Sequence, residues 1–419
     1  MPAQLIQSSA PRPLASYSEA FKVGNLVFAA GQLASDFKTG VPPEASINKA
    51  FPFYGSEIKQ QTRYILDNLR STFEAAGSSL ANIVKAQVFM TDMRDFNAFD
   101  EVWREYFGDA VPARTTVGTT ELLGAGPPQL LEVDLIGHTG DVEHQVVVSG
   151  GPRPLANYTE AIRVGNLVLA AGQIANDFVT GVPPEARTHP DFPYYGSDIK
   201  LQTRYILENL KTTFATADSS LGNVVKAQVF LRDLMDFNAF DEVWKEYFAD
   251  SPPPRTTVGI TELLGSGPEQ LLEIDLIAHS NGVTKQVVQS DNPRPLAVYS
   301  EAVVVDGLVF AAGQLASDFR TGVPEEARAN PAFPYYGSDI KAQARYVLDN
   351  CRRTFEAAGS SLDNVFKAQV FMTDMRNFNA FDEVWKEYFK VPPARTTVGT
   401  TGLLVKDALV EIDLIGSVE

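Results

Sequence analysis

The stretch Pro112-Ala113-Arg114-Thr115-Thr116-Val117-Gly118 follows a proline with β-branched residues and sets one arginine at the start of an extended segment. It returns as Pro254-Arg255-Thr256-Thr257-Val258-Gly259, and again as Ala394-Arg395-Thr396-Thr397-Val398-Gly399. Each copy is followed by an acidic pair on an alternating strand: Glu132 and Asp134, Glu273 and Asp275, Glu411 and Asp413. Other residues keep the same rhythm. Tyr17, Tyr158 and Tyr299 recur at steps of 141 residues, as do Trp103, Trp244 and Trp385, which are all the tryptophans of the chain. A period this long is a whole small domain copied twice rather than a solenoid. The copies are expected at residues 1–141, 142–282 and 283–419. Their joints, Thr139-Gly140-Asp141 and Ser280-Asn281-Gly282, are short and turn-forming. Three near copies on short joints predict a homotrimer fused into one polypeptide, with pseudo-threefold symmetry.

One repeat predicts the order β, β-hairpin, α, β, α, β, β. Leu5-Ile6 opens it. Phe21-Lys22-Val23 and Leu26–Ala30 flank Gly24-Asn25, a pair that accepts the positive φ of a tight hairpin; the third copy has Asp306-Gly307 there. After a proline-rich loop, Ser56 is placed as the N-cap of a helix whose Ile58, Ile65, Leu69 and Phe73 share one face, and Gly77 ends it. A strand is predicted at Ile83–Met90, an aromatic helix at Phe96–Phe107 and a last strand at Leu130–Ile136. One sheet with two helices on one face is the natural packing of an α+β unit, and the bare sheet face must be covered by the other copies.

Composition narrows the function. The 52 acidic against 35 basic residues, a formal charge of −17, argue against nucleic-acid binding and against anionic lipid. No apolar run approaches a membrane span, and Met1–Pro13 lacks the features of a signal peptide. A single cysteine fits a reducing compartment, so a cytoplasmic location is expected. Histidines do not recur threefold: His138 and His279 give way to Ser417, which excludes a triplicated histidine triad or zinc site. No GxGxxG or phosphate loop is present, so neither cofactor nor metal is expected.

Chemistry is left to the arginine and the carboxylate. On the last strand, Leu131, Val133 and Leu135 point one way, and Glu132 and Asp134 the other. Arg114 and Thr116 share a face if their segment is extended. An arginine fork grips a carboxylate with two bonds, and a partly buried glutamate trades protons with water or substrate. The pair suits a small anionic substrate and a proton-transfer reaction; it also suits a plain interdomain ion pair.

Tyr17, Gly24-Asn25, Ala30-Gly31-Gln32, Lys38-Thr39-Gly40, Ala113-Arg114 and Glu132 together resemble the Rid (YjgF) family over nearly the whole of each repeat. The resemblance implies a chorismate-mutase-like α+β fold and trimers with a ligand crevice at each subunit boundary. It implies an activity on reactive enamines and imines, hydrolysed to ketones and ammonia. Carried over, the carboxylate-gripping arginine falls on Arg114, Arg255 and Arg395, and the water-handling glutamate on Glu132, Glu273 and Glu411. The aromatic crevice residue falls on Tyr17, Tyr158 and Tyr299, and the glycine of close approach on Gly31, Gly172 and Gly313. Three departures stand out. Alanine (Ala30, Ala171, Ala312) precedes that glycine where active members often carry a hydroxyl residue. Asp100, Asp241 and Asp382 replace an amide on the second helix, where they could pair with the arginine. The third copy has 16 rather than 18 steps between Arg395 and Glu411, and Gly402 where Glu121 and Glu262 stand, so the crevices are not expected to be equivalent. The reading is a hydrolase or deaminase acting on an enamine, imine or related C–N bond of a small carboxylic acid. Its rivals are a pathway-specific amide hydrolase or aminomuconate-type deaminase, and a non-enzymatic small-acid-binding or chaperone-like pseudo-trimer.

Overall fold

The computed structural model describes residues 2–124, 128–140, 142, 144–152, 155–265 and 269–418. Met1, Asp141 and Glu419, at the expected limits of the repeats, lie outside the described residues. The first repeat runs β1 (Ala3–Ile6), β2 (Ala20–Val23), β3 (Leu26–Ala29), β4 (Gln32–Leu33), α1 (Glu57–Ala75), β5 (Ile83–Met90), α2 (Phe96–Phe107), β6 (Ala113–Gly118) and β7 (Leu131–His138). The sheet order is β1-β2-β3-β7-β5-β6, with β4 also on β7, and the other repeats copy it. Only β5 and β6 pair in parallel, because α2 carries the chain back across the sheet between them.

The predicted elements appear in their predicted order, with informative differences. β7 runs to His138 because Leu26 and Val27 of β3 pair with its last residues. β4 was not expected; Gln32 and Leu33 pair with Val133 and Glu132, which sets Gly31 against the last strand. Ser56 stands at the helix N-terminus in extended conformation, but its side chain makes no capping bond. Gly77, at φ +74°, closes α1 in the left-handed region, and Asp306 and Gly307, at φ 47° and 75°, form the hairpin turn of the third copy.

Two apolar layers hold each sheet. On one face, Ile65, Leu69 and Phe73 of α1 and Phe99 and Trp103 of α2 pack on Val88, Val133 and Leu135. On the other, all three sheets meet one another: Phe28 and Ile136, Leu169 and Ile277, Phe310 and Ile415 belong to one shared cluster. The Phe28 and Phe366 rings, from the first and third repeats, lie 4.7 Å apart. Backbone bonds close the ring. The Gly118 N–H donates to Glu262 O at 2.9 Å, Gly259 to Gly402 at 3.1 Å and Gly399 to Glu121 at 2.9 Å. The third repeat therefore meets the first as the first meets the second, although no peptide bond joins them there. Among the described residues, no helix is long and apolar enough to cross a membrane.

Candidate active site

Every β7-type strand turns its two carboxylates into the junctions between repeats, and the two meet different surroundings. Asp134, Asp275 and Asp413 face the pseudo-threefold axis. Lys85 Nζ reaches Asp275 at 2.6 Å, Lys367 reaches Asp134 at 2.5 Å, and Lys226 pairs with Asp413. Thr115, Thr256 and Thr396 donate to the same carboxylates at 2.6, 2.6 and 2.5 Å. Gln87, Gln228 and Gln369 donate head to tail around the axis, and each also donates to an aspartate. The enclosed space is about 40 Å³, room for little more than water.

The glutamates, two residues earlier, face the crevices. Arg114 and Thr116 of β6 share one wall of a cavity of about 1000 Å³, and the second repeat supplies the opposite wall with Tyr158, Gly172 and Glu273. The cyclic order, unreadable from sequence, is thereby given: Arg114 works against Glu273, Arg255 against Glu411, and Arg395 against Glu132. Tyr158, Tyr299 and Tyr17 follow the same order, their rings 5.6, 5.8 and 5.7 Å from the respective guanidinium carbons. The sequence-expected arginine, tyrosine, glycine and glutamate thus come together in each crevice, always from two repeats.

Each arginine is buried in an aromatic cage. Phe96, Phe99 and Trp103 lie 5.3, 5.2 and 5.1 Å from the Arg114 guanidinium carbon, which favours a cation there. Its Nη2 donates to Asp100 at 2.8 Å, as Arg255 does to Asp241 at 2.9 Å and Arg395 to Asp382 at 2.8 Å. Burial pushes the Asp382 carboxyl up, but Arg395, Lys386 and the Ser16 N–H more than offset this and leave it below the usual carboxylate value. The pairing that the acidic residue on the second helix suggested is therefore made. It does not exhaust the fork: Nε and Nη1 of Arg114 and Arg395, and Nη1 of Arg255, are buried without a partner among the described residues.

The glutamates complement these free donors. Burial pushes the Glu273 carboxyl up to about 8, with Asp275 adding to the rise and Lys85, the Thr116 N–H and Arg114 opposing it. Glu132 and Glu411 are likewise raised to about 8, again chiefly by burial. Each therefore carries a proton at neutral pH. Oε2 of all three is buried and has no partner among the described residues. The glycines make room for this seat: a Cβ at Gly31, Gly172 or Gly313 would fall 1.9, 1.9 or 2.0 Å from the glutamate Oε1. Among the lining residues that sequence reasoning did not single out are the loop residues Asn176 and Phe178, and Leu263 and Leu264 beside Glu262. They sit on loops with no periodic signal, although the Lys38-Thr39-Gly40 stretch marked the equivalent loop in the first repeat.

Three sheets closed into one ring, with an arginine and a protonated glutamate facing each other at every junction, define a single-chain pseudo-trimer with crevices between its repeats. The chain belongs to the Endoribonuclease L-PSP family, whose model matches it three times, over residues 7–139, 149–280 and 289–418. The resemblance to Rid proteins is thereby borne out. A RutC family protein of Pyrococcus horikoshii is 37% identical over 134 residues, covering 32% of this chain and 95% of that protein. A 2-iminobutanoate/2-iminopropanoate deaminase of Dermatophagoides farinae is 31% identical over 113 residues, 27% of this chain and 80% of that protein. Among solved structures, the Rid-family protein YyfA of Yersinia pestis is 30% identical, with 32% of this chain and 100% of that one covered and a TM-score of 0.28.

Proposed function

We propose that the chain hydrolyses the C=N bond of a small imino or enamino acid, releasing a ketone and ammonia. The observation that carries this reading is the set of unpartnered buried atoms, Arg114 Nε and Nη1 with Glu273 Oε2, on facing walls of one cavity. Two guanidinium N–H groups seat the substrate carboxylate. The glutamic acid, protonated up to about pH 8, gives its proton to the imine nitrogen. The resulting carboxylate takes a proton from water as the oxygen bonds to the imine carbon. That proton then passes to the amine nitrogen, and the C–N bond breaks as the hydroxyl on the same carbon returns its proton to the glutamate and becomes the carbonyl, so ammonia leaves and the glutamate ends protonated as it began. The deaminase among the relatives supports this chemistry for the family. The ribonuclease activity in the family's description is not carried over, because a chain of net charge −17 is poorly suited to neutralise phosphates.

One observation favours the amide-hydrolase alternative. Asp100 already neutralises Arg114, so an uncharged carbonyl group enters the crevice at a lower electrostatic cost than a carboxylate does. Ammonia release should therefore be followed over freshly generated 2-imino acids and over small amides. Glu132→Gln, Glu273→Gln and Glu411→Gln combined are expected to lower turnover about 10²–10⁴-fold while leaving binding in place. Unchanged turnover in that triple variant would sink the reading, and turnover confined to amides would transfer it to the alternative. A binding module, the remaining rival, would release no ammonia from any of them.

A further inference from the structure

The three crevices share their floor but not their mouth. In the first, Arg94 of the first repeat, paired with Asp92 of its own repeat, and Glu262 of the second both line the cavity, and the Glu262 charge adds to the field at Arg94. In the third, Arg376 and Glu121 take the same places and interact in the same sense. In the middle crevice, between the second and third repeats, both members are missing. Met235 stands where Arg94 and Arg376 stand, and Gly402 where Glu262 and Glu121 stand. Met235 is 86% exposed, and a Cβ at Gly402 would come 3.0 Å from Leu234 Cδ1, so the two segments do face each other across that junction. Two residues on different repeats thus lack their charges together. The wall behind them differs as well. The segment after Gly402 is the shortened one; it is tied back by Arg328 to Asp407 at 3.5 Å and lays Val405 against Gly322. Arg232, which lines the first crevice, is Thr373 in the middle one and Thr91 in the third, so this position sets the first crevice apart from the other two. Cationic charge is not absent there, since Arg320 occupies the loop position of Val179. What is absent are the two opposite charges at the mouth, and Leu296, 83% exposed, remains beside the opening as Leu155 does in the first crevice.

We infer that the middle crevice, built on Arg255 and Glu411, prefers small acids with a branched or aromatic apolar substituent over short ones more strongly than the other two crevices do. This deepens the reading of the crevices as small-acid sites and rests on it. Met235, Leu234, Leu296 and Gly402 give this mouth an uncharged, apolar rim, and burying a few methylenes against apolar side chains discriminates about tenfold or more. A homotrimer cannot divide its crevices this way, because every interface there is the same.

The chain carries its own reporters. Trp103, Trp244 and Trp385 lie 5.1, 5.0 and 4.9 Å from the guanidinium carbons of Arg114, Arg255 and Arg395, one to each crevice. Full-length variants that keep one tryptophan and replace the other two with phenylalanine would be titrated with pyruvate and with 4-methyl-2-oxopentanoate, ketone counterparts of imino acids. The Trp244 reporter is expected to show a preference for 4-methyl-2-oxopentanoate over pyruvate at least about tenfold larger than the other two reporters do. Met235→Arg with Gly402→Glu, both at the mouth and outside the arginine–glutamate machinery, should abolish that excess. Equal preferences at all three reporters, or an excess that survives the double substitution, would overturn the inference while leaving the crevices as acid sites. No response to either acid at any reporter would overturn the underlying reading along with it.

Discussion

Glu132 and Asp134 sit two residues apart on one strand, point the same way and are both almost fully buried, at 2% and 3% exposure. They have opposite fates. Asp134 receives Lys367, Thr396 and Gln369 of the third repeat and has no room for anything else. Glu132 is left with an empty Oε2, a raised pKa and a cleft in front of it. Burial alone does not decide whether an acid is structural or reactive; the supply of donors does. The axis spends its hydrogen-bonding capacity on holding the repeats together, and the crevice keeps some in reserve.

Several substitutions would break or sharpen this contrast. The largest effect belongs to the axis. Asp134→Ala strands Lys367 in a sealed place and is expected to destabilise the chain by about 3–5 kcal/mol in chemical denaturation, whereas Asp134→Leu with Lys367→Met recovers most of the loss. The glutamates come next, through pH. Their folded pKa of about 8 lies above the ordinary 4.5, so the stability they permit is fully present below pH 4.5 and is lost as pH rises towards 8. The melting temperature should fall across that window. The Glu132→Gln, Glu273→Gln, Glu411→Gln variant should show no such fall and should melt higher than the parent at pH 7 to 8. Gly31→Ala is smaller: its methyl collides with the Glu132 carboxyl, costing about 1–3 kcal/mol and lowering ammonia release from the Arg395 crevice alone. Smallest is the surface. Arg63→Ala removes a pair to Glu105 at 3.0 Å between two exposed side chains and should shift stability by about 0–1 kcal/mol.

Much of this was legible in the chain. The 141-residue step was visible because tyrosine and tryptophan are infrequent enough to mark it. The strand Ile83–Met90 and the helix Phe96–Phe107 were bounded correctly because turn and capping residues flank them. The alternation along Leu131–Leu135 was enough to send Glu132 and Asp134 towards a neighbour, but not to separate their roles, since the partners come from another repeat some 230 to 260 residues away. Lys85 and Gln87 held a signal that went unread: two polar residues on one face of an otherwise apolar strand, recurring as Lys226 and Gln228, and as Lys367 and Gln369. Which arginine meets which glutamate was hidden for a different reason. Three copies can be arranged round an axis in either of two senses, and local residue chemistry is the same in both.

The glutamine circle implies a rule about counting. Each amide gives to the next and to a carboxylate, always in one rotational direction, and no member can turn over without setting oxygen against oxygen. A polypeptide with one unit deleted would expose an orphan ammonium and an orphan acid to a gap that only another unit can fill. Shortened products of such a gene should consequently either vanish or gather until their units total a multiple of three.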